Sequence, residues 1–531
     1  MDIMTLARAT GGCGLRALRA LVLSPLLLLP AGAQAQTGVA VPGLESYDRL
    51  IPALMSRWGL PGAAVAVMKD GRLVFARGYG YADTATGAPV MPDTLFRIAS
   101  VSKPITAACI LTLVEAGRLS LDATAFPLLD LGQPVDARIN RITIRNLLEH
   151  TGGWDRDISF DPLFKMVTIA RAMGVQSPPD GKTVIRYMLA QPLEFDPGSR
   201  YAYSNFGYVV LGRVIEKITG QGYEEYARSV LSNAGISRMK QGHSLPGERF
   251  ADEATYYDLP GAALTNSVFD RTPGKVPWPD GGYAIETHDA NGGWLASAVD
   301  LVAFAAALDG KPSRPDVLSA TTLAEMVKRP GYALSTATTW YAKGWSVNGN
   351  GNIWHTGSLP GTKSLLVSTK SGYQWALLTN MRAGDADQDA LVADIDDTMW
   401  NAYNGVTAWP AGDLVTSSAL SISSLARGDR NSMNLSAPIQ VALADVGKPG
   451  SFFVAALWNG QLWLHNGKVW SAYTTGALPP FSGDRLGSRT IGILTGANLS
   501  GLTGAQIYAG YGTSAEDMLA NGKYRRVYIV P

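Results

Sequence analysis

The sequence predicts an α+β chain that ends in a small all-β module, and three observations carry this. Apolar runs at 62–68 and 72–76 flank Lys69-Asp70-Gly71, two β-rich segments around an Asp-Gly turn that read as a hairpin. Stretches with apolar residues at helical spacing then separate that hairpin from several strands at 343–382, broken by Gly and Asn. From 437 onward, short runs such as 452–458 and 461–464 alternate with Asn-Gly, Pro-Pro and Gly-Asp turns, the pattern of a small sandwich or barrel.

The 531 residues, 46% hydrophobic and 17% charged, suffice for a large core and more than one domain. The N-terminus reads as a secretory signal over 1–35. Arg8, Arg16 and Arg19 supply positive charge, 21–29 an apolar core, and Ala33-Gln34-Ala35 a cleavage site, so cleavage is expected after Ala35 with export to the periplasm or beyond. That run is too short to span a bilayer and no other approaches ~18 consecutive apolar residues, so no stable membrane anchor is expected. Removing 1–35 takes away three Arg and one Asp and moves the formal charge from +1 to −1. Such a near-neutral surface gives no reason to expect nucleic acid or an anionic membrane as partner. Cys13 leaves with the signal; Cys109 alone remains, inside a helical pattern, and reads as a buried core thiol.

Within 43–405, Lys103 to Ala116 carries Ile105, Cys109, Leu111 and Val114 at core spacing and closes at Gly117, a helix with a glycine stop. Residues 141–150 form a short amphipathic element ending in Thr151-Gly152-Gly153; 205–218, 297–308 and 388–402 are helical in pattern. From 406 to 436 the pattern dissolves into Ser, Ala, Gly and Asp and reads as a linker to the module at 437–531. The module's Trp458, Trp463, Trp470, Tyr473, Tyr508 and Tyr511 alternate with small apolar residues and read as core; a polymer-binding platform is the alternative.

The chemistry begins at Ser100-Val101-Ser102-Lys103. Serine and lysine at i and i+3 at a helix start lie on one face, giving a hydroxyl nucleophile with a base beside it. A second Ser-x-x-Lys, Ser237 to Lys240, follows Ala234-Gly235 where no helix start is evident. Two further motifs follow Ser100 in order: Tyr203-Ser204-Asn205 and His355-Thr356-Gly357, the latter placed between strand-like runs. A second His-Thr-Gly, at 150–152, follows an amphipathic run and reads as a structural turn. The five histidines are scattered, with neither HExxH nor CxxC, so no metal or other cofactor is expected.

In that order the motifs resemble the serine β-lactamase and penicillin-binding superfamily. The similarity is to the class C branch, with D-alanyl-D-alanine carboxypeptidases, D-aminopeptidases and family VIII carboxylesterases. It covers about 43–405 and extends to 147–153, to Phe195-Asp196-Pro197-Gly198 and to Gly292-Gly293-Trp294-Leu295-Ala296-Ser297. The resemblance implies an antiparallel sheet flanked by helices plus a helical subdomain, with the site between them. It also implies that Ser100 forms an acyl-enzyme, with Lys103 and Tyr203 moving its proton. Asn205 would hold Lys103 and meet substrate, and the backbone N–H groups of Ser100 and Ser358 would bind the oxyanion. Whether Lys103 or Tyr203 is the base stays open.

Many β-lactamases have Lys where this chain has His355, and that lysine offers a fixed charge to the substrate's carboxylate. Histidine is titratable near neutrality or acts as a neutral donor, or else simply closes a strand-edge hydrogen bond. With Thr356 and Gly357 it is read as substrate-binding. This points to an exported hydrolase of a small ester or peptide; a β-lactam-hydrolysing or penicillin-binding protein and a non-catalytic cell-wall sensor are the alternatives. The absence of Gly-x-Ser-x-Gly ranks an α/β-hydrolase low. The long stretch 245–290, with Tyr256, Tyr257, Trp278 and Tyr283, either walls the acyl pocket or packs on the surface.

Overall fold

The computed structural model describes residues 35–530 apart from 315, 333–336, 413, 415–420, 423–424, 428–429, 442–444, 446–447 and 487–488. The expected signal therefore lies outside the described residues, as does much of the expected linker. Among the described residues no helix is long and apolar enough to cross a membrane.

The Asp-Gly hairpin forms as expected: strands Gly62–Lys69 and Arg72–Asp83 pair antiparallel. Asp70 and Gly71 both take positive φ, 52° and 75°, the twist a two-residue hairpin turn requires. Tyr373–Thr379 lies on the other side of Gly62–Lys69, followed outward by Thr362–Ser368, Ile353–Leu359, Ser346–Asn348 and Thr339–Tyr341. With two short strands at the far edge, these make a nine-stranded antiparallel sheet whose sequence-distant halves meet at the 62–69/373–379 pair.

This sheet is covered on both faces, and strand alternation shows it directly. Ala63, Val65, Val67, Leu365, Val367, Trp375 and Leu377 share one cluster with Tyr47, Ile51, Leu391, Ile395 and Met399 of helices Glu45–Trp58 and Gln388–Asn404. Their alternates Ala64, Ala66, Met68, Leu366, Ala376 and Leu378 join a second cluster with helices Ser102–Glu115 and Ala298–Ala306. Each large aliphatic buried this way contributes roughly 1.5–3 kcal/mol relative to exposure. The second cluster continues through Asn205–Thr219, Ile144–Leu148 and Val184 to Leu189, the helical subdomain. Cys109 lies in this core, fully buried, and burial pushes its thiol pKa up. Helix Glu45–Trp58 has no counterpart in the sequence reading, because Pro52 interrupts its pattern; the Asp48 carbonyl left by the missing proline N–H accepts from Gln36 Nε2 at 3.4 Å.

The C-terminal residues make two further antiparallel sheets. One contains 421–422, 425–427, Met433–Gln440 and Arg489–Ala497; the other contains Pro449–Trp458, Gln461–His465, Trp470–Ala472, Ser482–Arg485, Gln506–Gly512 and Tyr524–Ile529. Strands thus occupy part of the stretch read as a linker. The core is mostly aliphatic, with Leu435, Ile439, Val454, Ile491 and Ile507 around Phe452 and Tyr511. Of the six aromatics expected inside, only Tyr511 is buried; the other five are partly exposed. Trp470 is on the edge strand and Trp463 on the next one, where the cover is incomplete.

The long 245–290 stretch is fastened beneath the turn before Ser100. Fully buried Arg97 donates to the carbonyls of Pro279 and His243, both at 2.7 Å, and to Ser244 O at 3.3 Å. Its own N–H donates to Tyr256 Oη, and Tyr256 in turn donates to Glu253, whose buried carboxylate lies 3.9 Å from the Arg97 guanidinium. Arg97→Met removes those donors and leaves Glu253 buried without its cation. We expect a loss of about 3–5 kcal/mol in urea unfolding, with protease cleavage within 245–285 at native conditions; unchanged stability would refute this bracing role.

Candidate functional site

Helix Ser102–Glu115 starts through a single 3-10 turn, Ala99–Val101, that carries Ser100. Ala99 takes φ 47°, a left-handed backbone that non-glycine residues seldom adopt, and it is fully buried. Two hydroxyls of strand Thr362–Ser368 pin the turn: Thr362 Oγ1 donates to Arg97 O at 2.6 Å and Ser364 Oγ to Ile98 O at 2.7 Å. Strand Ile353–Leu359 closes on the same turn. A Cβ on Gly357 would stand 2.3 Å from Ile98 O and 2.1 Å from Ser364 Oγ, so only glycine fits.

Lys103 is completely buried, and its Nζ lies 3.1 Å from Ser100 Oγ, 2.8 Å from Asn205 Oδ1 and 2.9 Å from Asn291 O. Among the described residues no carboxylate comes within 4 Å of it. Desolvation holds its pKa well below the ordinary lysine value; Asp161 pulls it up only in part, and Arg156 pushes it further down. Asn205 is the first residue of helix Asn205–Thr219, with Ser204 as its N-cap. Its Nδ2 donates to Asp161 Oδ2 at 2.6 Å, so at least one of the N–H groups expected to meet substrate is tied to a carboxylate.

Tyr203 stacks near Lys103, whose Nζ is 4.8 Å from the ring centroid. Burial raises the phenol's pKa and a hydrogen bond with Ser100 only partly opposes this, so Tyr203 stays protonated. Burial outweighs every influence that would lower it. For His355 the neutral alternative holds. It is buried, its Nδ1–H donates to Thr356 O at 2.7 Å, and its Nε2 is 3.0 Å from Tyr341 Oη. Desolvation, with Lys103 adding to it, takes its pKa to about 3, so it is a neutral strand-edge residue and carries no charge near pH 7.

The cavity holding these groups is about 560 Å³ and is lined by Ser100, Tyr203, Asn205, His355, Thr356 and Ser358 among others. Gly357 lies behind it against the nucleophile's turn. The second Ser-x-x-Lys is elsewhere: Lys240 pairs with Asp252 at 3.5 Å and neither Ser237 nor Lys240 lines the cavity. Of the 245–290 stretch only His288 reaches the lining; Tyr256 and Tyr283 brace Arg97 instead, and Tyr257 accepts from Thr84. His243, Glu248 and Glu286 come within 4.8 Å of one another, outside this lining, with Glu248 on Arg271 and Glu286 on Ser244.

Four contributors escaped the sequence reading. Asn291 acts through its backbone carbonyl, held in place where Thr106 Oγ1 donates to Ala290 O at 2.6 Å. Asp161 orients Asn205, and Arg156 lies over the Tyr203 ring at 4.9 Å. His150, in the turn at 150–152, takes φ 55°, packs 4.3 Å from Tyr203 ring to ring, and accepts from Ser204 N through Nδ1.

Residues 47–398 match the family model for β-lactamase. The chain is 32% identical over 358 residues to penicillin-binding protein 4 of Amycolatopsis lactamdurans, covering 63% of this chain and 84% of that protein. It is 36% identical over 229 residues to esterase EstB of Burkholderia gladioli, covering 42% and 56%. The chain spans about half the length of the first curated relatives it matches, 56%. The D-amino acid amidase from Ochrobactrum anthropi SV3, solved with D-phenylalanine, superposes with a TM-score of 0.54 over 68% of this chain and 99% of that one; at 22% identity this speaks for the fold. A match over 352 positions, on a sheet covered by helices with Ser100 and Lys103 at its edge, places this chain in the β-lactamase family.

Proposed function

We propose that this chain is an exported serine hydrolase that forms an acyl-enzyme on Ser100 and hydrolyses an ester or amide, of carboxylesterase or D-amino-acid peptidase type. The observation that carries this is the valence count at Lys103. A neutral amine has two N–H groups and one lone pair, and Lys103 Nζ has three neighbours: the oxygens of Asn205 and Asn291 take the N–H groups, leaving the lone pair toward Ser100 Oγ 3.1 Å away. In this reading Lys103 removes the Ser100 proton as Oγ attacks the carbonyl. Tyr203, kept protonated, gives its proton to the leaving group and takes in return the one that Lys103 removed from Ser100, so both groups end as they began, and the N–H groups of Ser100 and Ser358 receive the oxyanion. Water reverses the sequence to release the acid. The names esterase and D-amino acid amidase among the relatives support the reaction class, and a neutral His355 argues against dependence on a cation at the third motif. Export with cleavage after Ala35 is read from the signal pattern at 1–35; finding Met1 on the secreted protein would refute the cleavage, and finding none of the protein outside the cytoplasm would refute export.

Ser100→Ala should reduce turnover of 4-nitrophenyl esters or D-amino-acid amides by roughly 10³-fold or more and abolish fluorophosphonate labelling. Lys103→Ala should be nearly as damaging, because the two act as a unit. Labelling with slow or absent release would instead indicate a penicillin-binding or sensor role.

The pH dependence follows in sign from the shifts. A base works unprotonated, so kcat/KM should rise with pH through the depressed Lys103 pKa, well below the ordinary lysine range, and then level off. His355, at about 3, contributes no inflection between pH 5 and 8. An inflection near 6.5 that vanishes in His355→Gln would overturn this.

A further inference from the structure

We propose that Lys363 and Arg382 form a subsite for an anionic substituent of the substrate, a carboxylate by preference, on the Ser358 side of the cavity. The proposal rests on the acyl-enzyme reading above and names the substrate class within it. Lys363 is the cross-strand partner of Ser358, so both side chains leave the same face of the sheet. Both converge on one atom: Lys363 Nζ and Ser358 Oγ each donate to Gln388 Oε1 at 2.9 Å, while Gln388 Nε2 donates to Ala383 O. The amide is thereby fully oriented, and its single oxygen is shared between two donors.

Lys363 is only 3% exposed, yet among the described residues no carboxylate lies within 4 Å of its ammonium. Its other contact is Gln388 O at 3.5 Å, so of three N–H groups only one has a good acceptor. Arg382 lines the same wall and pairs with Asp385, which is mostly in solvent. Asp389 also lines it, beyond ion-pair distance of Lys363. The wall therefore presents two cations and one carboxylate to the cavity, with a buried ammonium short of acceptors. The third motif supplies no charge, since His355 is neutral. Burial lowers Lys363 to about 8, with Arg382 adding to the fall and Asp389 opposing it.

The test uses the full chain and two ester pairs matched in length: 4-nitrophenyl hexanoate with 4-nitrophenyl hydrogen adipate (charge on the acyl half), and phenyl hexanoate with 3-carboxyphenyl hexanoate (charge on the leaving half). In at least one pair, Lys363→Met should lower the charged-to-neutral ratio of kcat/KM by 10- to 100-fold, Arg382→Gln should lower it less, and Lys363→Arg should retain it. The wild-type ratio should fall as pH rises through about 8, as the ammonium is lost, and stay flat there in Lys363→Arg. Because Lys103 titrates in every substrate, the ratio isolates Lys363. A ratio unmoved by Lys363→Met in both pairs would overturn the subsite. Absence of turnover of all four esters together with absence of fluorophosphonate labelling in the wild type would overturn the acyl-enzyme reading instead.

Discussion

A lysine buried without a counter-ion sets the terms for the rest of the site. Lys103 is kept dry by the apolar body of its own helix and by the strand that closes on Ser100, and desolvation penalises only its charged form. A carboxylate in direct contact would undo this by holding the proton on nitrogen. Asp161 pulls the lysine's pKa up only in part, because Asn205 stands between them, giving its carbonyl oxygen to Lys103 and its N–H to Asp161. The asparagine thus passes orientation from the carboxylate to the lysine while keeping the full charge one side chain away. Lysine or aspartate at 205 would lack one of the two hydrogen-bonding halves this requires.

A second constraint is backbone proximity. The turn at 98–100 is held from the sheet side by hydroxyls of Thr362 and Ser364, and strand 353–359 approaches it so closely that position 357 has no room for a Cβ. The left-handed Ala99 is the local result: the chain must swing from a strand pairing at 96–97 into a helix within four residues, with both ends already fixed. On the opposite wall His150, Tyr341 and Tyr203 pack ring to ring, with His150 again in a left-handed conformation and joined to the backbone of Ser204. Ser100 and Tyr203 are therefore both positioned by strained turns that buried neighbours over-determine.

The parts of this arrangement that were legible in the sequence are those carried by side chains at a fixed spacing. Ser100 and Lys103 lie one helical step apart, Tyr203 and Asn205 straddle a helix cap, and His355 lies in a strand that passes Ser100. Asn291 was invisible because it acts through its carbonyl, which any residue possesses. Asp161 and Arg156 reach the site from a loop whose path depends on tertiary packing. The His355 side chain could be placed, but its charge could not, since burial and a neighbouring lysine decide its proton affinity. The hairpin at 62–83 and the helices at 102–115 and 205–219 followed from periodicity; helix 45–58 did not, with proline at its centre. The module's aromatics were misplaced because alternation in a strand tells two faces apart but does not say how far the opposite sheet extends over them.

Two lysines, Lys103 behind Ser100 and Lys363 on the cavity wall, show why acceptor geometry, more than burial, decides what a buried amine does. Both are nearly inaccessible and both have their pKa lowered by desolvation. Around Lys103 lie two amide or peptide oxygens and a hydroxyl, which accepts from an ammonium or gives its proton to a neutral amine, so the nitrogen is satisfied in either state without an anion. Around Lys363, among the described residues, the only good acceptor is an amide oxygen already shared with Ser358, and no hydroxyl proton is directed at its nitrogen. A neutral Lys363 would have a lone pair with nothing to receive; a charged one needs an anion. On the proposed reading burial thus suits Lys103 to act as a base, while at Lys363 it leaves a cation in want of a partner, placed to supply the charge that His355 does not.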